Sequence, residues 1–172
     1  MSDLYERVTA QQDVFKKLVS KIPGFDGYVE RENRRSADKL LRESVAAKFQ
    51  SVWQRISGIE RDLVNAGQIN LLDDIEAAEV KIRQFIDRVN TATYGYAGFF
   101  DAIKIREDTL AQVYQYDLTL MDLADQLSSA VDNLEASLDS DGLPAAIRNL
   151  VQKAQDCLDA FNKRSEIMKM GQ

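Results

Sequence analysis

Five stretches of this chain carry apolar side chains at alternating steps of three and four residues. The two clearest runs are Val45, Phe49, Val52, Ile56, Ile59, Leu63 and Ile75, Ala78, Ile82, Phe85, Val89. This spacing places one apolar stripe along each helix, and a striped helix must bury that stripe against other helices. The pattern therefore predicts an all-α fold, an elongated bundle of about five helices.

Helix-breaking and capping residues divide the chain into these predicted helices. Pro23 and Gly67 each end a striped segment, and Asn70 is a good N-cap for the next. Pro144 suits the first turn of the last helix. The predicted bounds are about 3–22, 28–66, 70–93, 102–139 and 143–168. The second and fourth helices are nearly twice as long as the first and third. We expect the two shorter helices to lie end to end along the second, within one domain spanning residues 1–172.

The composition removes several classes of active site. The chain has no histidine, and Cys157 is its one cysteine. A carboxylate-bridged di-iron bundle uses Glu-x-x-His on two helices, and Ser-His-Asp triads and common catalytic zinc sites also need histidine. A lone cysteine cannot form an internal disulfide. We therefore expect a protein that is not an enzyme and that holds no metal and no cofactor.

Charge and hydropathy indicate where the chain works. A net charge of −6 and a pI near 4.8 disfavour general nucleic-acid binding. No run approaches the roughly 20 apolar residues of a membrane span. The segment Met1–Arg7 lacks the basic and apolar regions of a signal peptide. We expect a cytoplasmic protein with no nucleic-acid partner and little affinity for membranes.

Charge is distributed unevenly along the chain. The net charge is +2 over residues 1–67, −10 over residues 68–142 and +2 over residues 143–172. No basic residue occurs between Arg106 and Arg148. The acids of that interval include Asp122, Asp125 and Asp132. The fourth predicted helix therefore presents a long acidic surface.

Basic residues share one face at the start of the second predicted helix: Arg31, Arg35, Lys39 and Arg42. In one interpretation, the acidic helix of one subunit meets this basic stripe of another subunit. In the other, both are solvated faces whose charges pair with neighbours one helical turn away. Exposed pairs contribute only about 0–1 kcal/mol, which suits the second interpretation.

Aromatic residues cluster between the third and fourth predicted helices. Tyr94, Tyr96, Phe99 and Phe100 lie within seven residues that also include two glycines. These rings could line an apolar ligand pocket or dock a partner. Alternatively, they fold back and plug one end of the core, with the glycines permitting a sharp path. The sequence leaves both possibilities open.

Two segments resemble parts of uncharacterised bacterial all-helical proteins. The first is Ile22-Pro23-Gly24-Phe25-Asp26-Gly27-Tyr28, followed by Arg34-Arg35-Ser36-Ala37-Asp38; the second runs from Thr93 to Ile103. The resemblance implies an all-helical fold. It implies no activity and no functional residue.

Long striped helices, segregated charge and the missing catalytic residue types together favour a non-catalytic helical scaffold or interaction module that self-associates. One alternative is a small-molecule-binding bundle that uses residues 94–100. Another is a peripheral membrane adaptor of a bacterial stress system, although the acidic balance disfavours anionic lipid surfaces.

Overall fold

A computed structural model describes residues 2–92 and 97–170. Within them it contains six α-helices and no strand, which confirms the all-α prediction. The helices are α1 (Ser2–Lys21), α2 (Arg34–Asn65), α3 (Leu72–Thr91), α4 (Ala97–Asp101), α5 (Glu107–Ala136) and α6 (Leu143–Met170). Short 3-10 turns, Arg31–Asn33 and Ile69–Leu71, precede α2 and α3.

Four helices form the bundle, and their contacts fix its directions. Lys48 and Arg55 of α2 contact Asp125 and Asp132 of α5, so α2 and α5 run parallel. By the same reasoning α3 and α6 run parallel, since Lys81 contacts Gln155 and Arg88 contacts Asn162. The neighbours α2 and α3 are antiparallel, and so are α5 and α6. We call the end where α2 and α5 begin the base, and the opposite end the far end.

The two remaining helices lie outside this square of four. Helix α4 lies at the base, where the Phe100 ring meets the Tyr28 ring and the Ala102 carbonyl accepts from Arg34. Helix α1 packs along α5, with the Phe15 ring 5.6 Å from the Tyr114 ring and Lys21 Nζ 2.8 Å from Asp125 Oδ2. The expectation that the first and third helices lie end to end along the second is wrong, because α1 packs on α5, while α3 runs along α2 from Arg42 to Ser57.

Both long helices begin about five residues later than the periodicity predicts. Residues 28–30 are not helical, because the Tyr28 N–H donates to the Tyr114 hydroxyl and the Tyr28 carbonyl accepts from Arg34. The Ala102 carbonyl likewise accepts from Arg34 Nη1. Asp101 is thus the last residue of α4 and does not cap α5.

The stripes predicted from sequence form the core in the middle of the bundle. All eleven residues of the two clearest stripes are at most 3 % exposed. The Phe49 and Phe85 rings stack with centroids 4.0 Å apart, and Phe161 of α6 meets Phe85 edge-on. Helix α1 is only partly packed, because Val8 near its start is 48 % exposed while Leu18 near its end is fully buried.

Candidate functional site

The base of the bundle contains a buried charged cluster, which we call the base network. Its members are Tyr28, Asp38, Arg42, Asp117 and Arg164, each at most 7 % exposed. They come from the loop after α1 and from α2, α5 and α6. Buried ions are expensive to desolvate unless they are paired and hydrogen-bonded, so the geometry of each pair matters.

Arg164 is the centre of the base network. Its Nε donates to Asp117 Oδ1 at 2.6 Å, and its Nη2 donates to Asp38 Oδ1 at 2.8 Å. The same Nη2 lies 3.2 Å from the Tyr28 hydroxyl, which itself donates to Asp117 Oδ2 at 2.8 Å. The second oxygen of Asp38 accepts from Arg42 Nε at 2.7 Å. Both carboxylates therefore have both oxygens engaged, and two arginines balance two acids.

The protonation states of the network follow from its burial. Loss of solvation raises the pKa of Asp117 to about 6, while the Arg164 guanidinium acts in the opposite direction. Burial also raises the pKa of Tyr28 well above its ordinary value, and the charge of Asp117 adds to that rise. At neutral pH the Asp117 carboxyl is therefore mainly ionised and the Tyr28 phenol is protonated.

A glycine and two neighbouring side chains hold Tyr28 in place. Gly27 has a φ of +85°, and a Cβ there would lie 2.5 Å from the Tyr114 hydroxyl. Glycine thus permits both the left-handed turn and the close approach of Tyr114. Buried Arg34 holds the other side, because its guanidinium donates to the carbonyls of Tyr28 and Ala102. The Tyr28 ring also packs against Phe25, Phe100 and Tyr114.

The base network offers no free carboxylate to a substrate. Its acids are fully buried, and each already has two donors. A general acid or base must reach the proton that it transfers. The arrangement instead ties three long helices and one loop together at a single point.

A cavity of about 470 Å³ opens beside the network, and we call it the base cavity. It is lined by Arg35, Ser36, Asp38, Lys39, Arg42, Glu43, Asn90 and Phe100. The structure thus brings part of the predicted basic stripe and one of the predicted aromatic residues to the same place. Nothing in the sequence pattern links the start of α2 to α4, since Arg35 and Asp101 are 66 residues apart.

The basic stripe is divided by its surroundings. Arg31 and Lys39 are exposed, and Lys39 forms a loose 3.8 Å pair with Glu43. Arg35 pairs with Asp101 at 2.9 Å, with both side chains more than half exposed. Arg42 is not on the surface: it is 7 % exposed and donates to Asp38 and to the Val89 carbonyl.

The aromatic candidates are also divided. Phe99 and Phe100 are 0 % and 5 % exposed, and their rings meet edge-on inside the base. These two side chains match the plug interpretation, although Phe100 also lines the base cavity. Tyr94 and Tyr96 lie outside the described residues.

The acidic face of α5 is matched by cations of the same chain. Asp125 accepts from Lys21 and Lys48 at 2.8 Å each, and Lys21 also pairs with Asp122 at 3.3 Å. Asp132 pairs with Arg55, which also reaches Glu135. Burial alone would raise the pKa of Asp125, but hydrogen bonds from the two lysines hold it below its ordinary value. Among the described residues, the predicted basic stripe takes no part in these pairs.

Four exposed acids that form no ion pair among the described residues lie at the far end. They are Asp73 and Asp74 at the start of α3, and Asp139 and Asp141 in the turn before α6. A shallow cavity beside them is lined by residues of both turns, with Asn70 from the first and Asp139 and Asp141 from the second. We call these four carboxylates the acidic end.

Other candidates offer little chemistry. Cys157 is buried, and burial raises the pKa of its thiol to about 12, so it stays protonated. Across residues 2–92 and 97–170 there is no cluster of three or more His, Cys, Asp or Glu side chains arranged to hold a metal ion. In the same part of the chain, no helix combines the length and the apolar character needed to cross a bilayer.

No protein-family model, curated protein or solved structure matches this chain. The resemblance to bacterial helical proteins therefore gives no family assignment, and function must be argued from the surfaces described above.

Sequence reasoning missed the base network, although a signal for it is present. Asp38, Asp117 and Arg164 all fall at positions where the apolar stripe of their helix should continue: Arg164, for example, follows Phe161 by three residues. A charged residue at a stripe position must find a partner in the core. The sequence cannot name that partner, because Arg164 and Asp38 are 126 residues apart.

Proposed function

We propose that this protein is a non-catalytic, all-helical interaction module that self-associates end to end. The observation that supports the proposal is the complementarity of its two ends. The acidic end carries four carboxylates without ion pairs among the described residues, while Arg31 and Lys39 at the base are exposed and weakly paired. The acids of α5 do not supply this contact, since Lys21, Lys48 and Arg55 already neutralise them.

Exposed apolar residues accompany the charges at both ends. Val64 and Ile69 are 52 % and 65 % exposed at the far end. Val29 and Ile103 are 71 % and 79 % exposed at the base, where Arg34 bonds to the Val29 carbonyl and to the Ala102 carbonyl just before Ile103. Contact between the ends would remove these side chains from water.

The geometry and the charge set the kind of association. Helix α2 has 32 residues, so the two ends lie about 48 Å apart. A contact between two different patches is heterologous and forms open chains unless the rotation closes a ring. Glu30 and Glu32 interrupt the basic patch, which makes the attraction weak and sensitive to salt.

Light scattering at increasing protein concentration tests the proposal. The mean mass should rise above that of one chain at about 20 mM salt and return to it at about 500 mM, where screening is nearly complete. The Arg31→Glu/Arg35→Glu variant should remain monomeric, as should Asp139→Lys/Asp141→Lys. The charge-conserving Arg31→Lys/Arg35→Lys variant serves as the matched control and should still associate.

Mixing the two charge-reversed variants gives the sharpest test. In an alternating chain of the two variants, the unchanged base of one meets the unchanged acidic end of the other, and the introduced glutamates meet the introduced lysines, so each junction regains attraction. The equimolar mixture should regain mass that neither variant shows alone. A monomeric wild-type protein at low salt, or a mixture that stays monomeric, would refute end-to-end association.

A further inference from the structure

The base cavity presents a guanidinium that is already fixed in position. The Arg42 side chain is 9 % exposed, and its Nε and Nη1 are held by Asp38 Oδ2 and by the Val89 carbonyl. Asp38 is held in turn by Arg164. The remaining Arg42 nitrogen, Nη2, has no hydrogen-bond partner among the described residues and is not sealed from solvent. An oriented donor of this kind loses little entropy when it binds an anion.

Further donors and an apolar wall surround this nitrogen. Arg35 and Lys39 contribute exposed cationic side chains to the lining, and Ser36 and Asn90 supply a hydroxyl and an amide. The Phe100 ring forms an apolar part of the lining. A small number of convergent polar groups beside an aromatic surface is typical of small-molecule sites, and about 470 Å³ lies within their usual size range.

The charge of the lining selects the ligand. Three lining cations, Arg35, Lys39 and Arg42, face two lining acids, Asp38 and Glu43, and Arg35 is also paired with Asp101, so the excess of positive charge is at most one. That balance suits a monoanion better than a phosphate dianion. We infer that the base cavity binds a small organic carboxylate, with its carboxylate on Arg42 Nη2 and its apolar part against Phe100. This site does not depend on end-to-end association.

Titration of the ¹⁵N-labelled protein with 3-phenylpropionate, followed by amide chemical shifts, tests the inference. The neutral analogue 3-phenylpropionamide is the matched control ligand, and inorganic phosphate tests the preference for a monoanion. The Asp139→Lys/Asp141→Lys variant is the protein to use, because its base is intact and self-association cannot compete. Saturable shifts should centre on Ser36 and Asn90, and the carboxylate should bind about three- to tenfold more tightly than the amide or phosphate.

Two exposed wall residues give opposite expectations without disturbing the buried network. Asn90→Asp adds a negative charge to the wall and should weaken binding of 3-phenylpropionate about three- to tenfold, whereas Glu43→Gln should strengthen it by a similar factor. Asn149→Asp, at an exposed position of α6, adds the same charge away from the base cavity and should leave the affinity unchanged. The inference is overturned if the shifts do not saturate or if the amide or phosphate binds as tightly as the carboxylate. It is also overturned if the two wall variants change affinity in the same direction.

Discussion

The middle and the base of this bundle are held together by different physics. In the middle, Phe49, Phe85 and Phe161 pack as an apolar layer. Its contribution to stability grows with the buried apolar area and does not depend on one specific pair of atoms. At the base, Arg164 joins Asp38 and Asp117 in a fully buried cluster whose ions are tolerated only because each is paired. The comparison indicates that the middle provides stability, while the base fixes which helices meet and in what register.

Removing one ion should give the largest effect. Arg164→Ala leaves Asp38 and Asp117 buried without their shared cation, and we expect a loss of about 3–5 kcal/mol in the free energy of unfolding. Urea denaturation measures this loss, with exposed Arg148→Ala as the control, expected to stay within about 0.5 kcal/mol. A loss below about 1 kcal/mol would mean that the base network contributes no more than surface pairs do.

The pH dependence of that variant follows from the direction of the Asp117 shift. Its pKa is raised from 3.8 to about 6 in the folded protein, and loss of Arg164 should raise it further. A raised folded pKa makes stability greatest at low pH and diminishes it as pH rises through the folded value. Relative to wild type, Arg164→Ala should therefore be destabilised most above pH 6 and less near pH 4.

A cavity in the middle should cost slightly less and should not depend on pH. Ile82 is fully buried in α3, and Ile82→Ala removes apolar contacts without leaving a charge. We expect a loss of about 2–5 kcal/mol, with the same value at pH 5 and pH 8. Urea denaturation at both pH values, with the exposed Val80→Ala as control, tests this. A strongly pH-dependent loss would show that the apolar middle is energetically coupled to the charged base.

The smallest expected effect concerns Glu60, an acid whose pKa is shifted by burial and neighbouring acids and not by an arginine. Glu60 of α2 lies beside Glu79 and Glu76 of α3, and burial followed by the charge of Glu79 raises its pKa to about 7. The raised value means that ionised Glu60 destabilises the folded protein at higher pH. Because the side chain is largely solvated, we expect Glu60→Gln to stabilise by only about 0.5–1 kcal/mol at pH 8.

Thermal melts at two pH values decide this last case. The gain from Glu60→Gln should shrink as the pH falls from 8 towards 5, where Glu60 of the folded protein is already protonated. The exposed Asp62→Asn serves as the control for a lost negative charge on the same helix. Equal gains for the two variants would attribute the effect to overall charge and not to the Glu60–Glu79 contact.

The same comparison explains what sequence alone could predict. Apolar periodicity identified the helices and nearly every residue of the middle layer, because burial of a stripe depends on spacing along one helix. It could not place α4, since a five-residue helix has no period, nor the later starts of α2 and α5, which depend on bonds from Arg34 to Tyr28 and Ala102. The cations Lys21, Lys48 and Arg55 were missed because their acids lie at least 77 residues away.

The long sequence separations within the base network have a consequence for the order of folding. The α2–α3 and α5–α6 hairpins bring together residues that are close in sequence, so they can form early and independently. The base network joins Tyr28 to Arg164 across 136 residues and can close only after both hairpins have docked. Interactions made after the transition state slow unfolding and leave the folding rate nearly unchanged. The buried ions would then chiefly lengthen the lifetime of the folded bundle by slowing its unfolding.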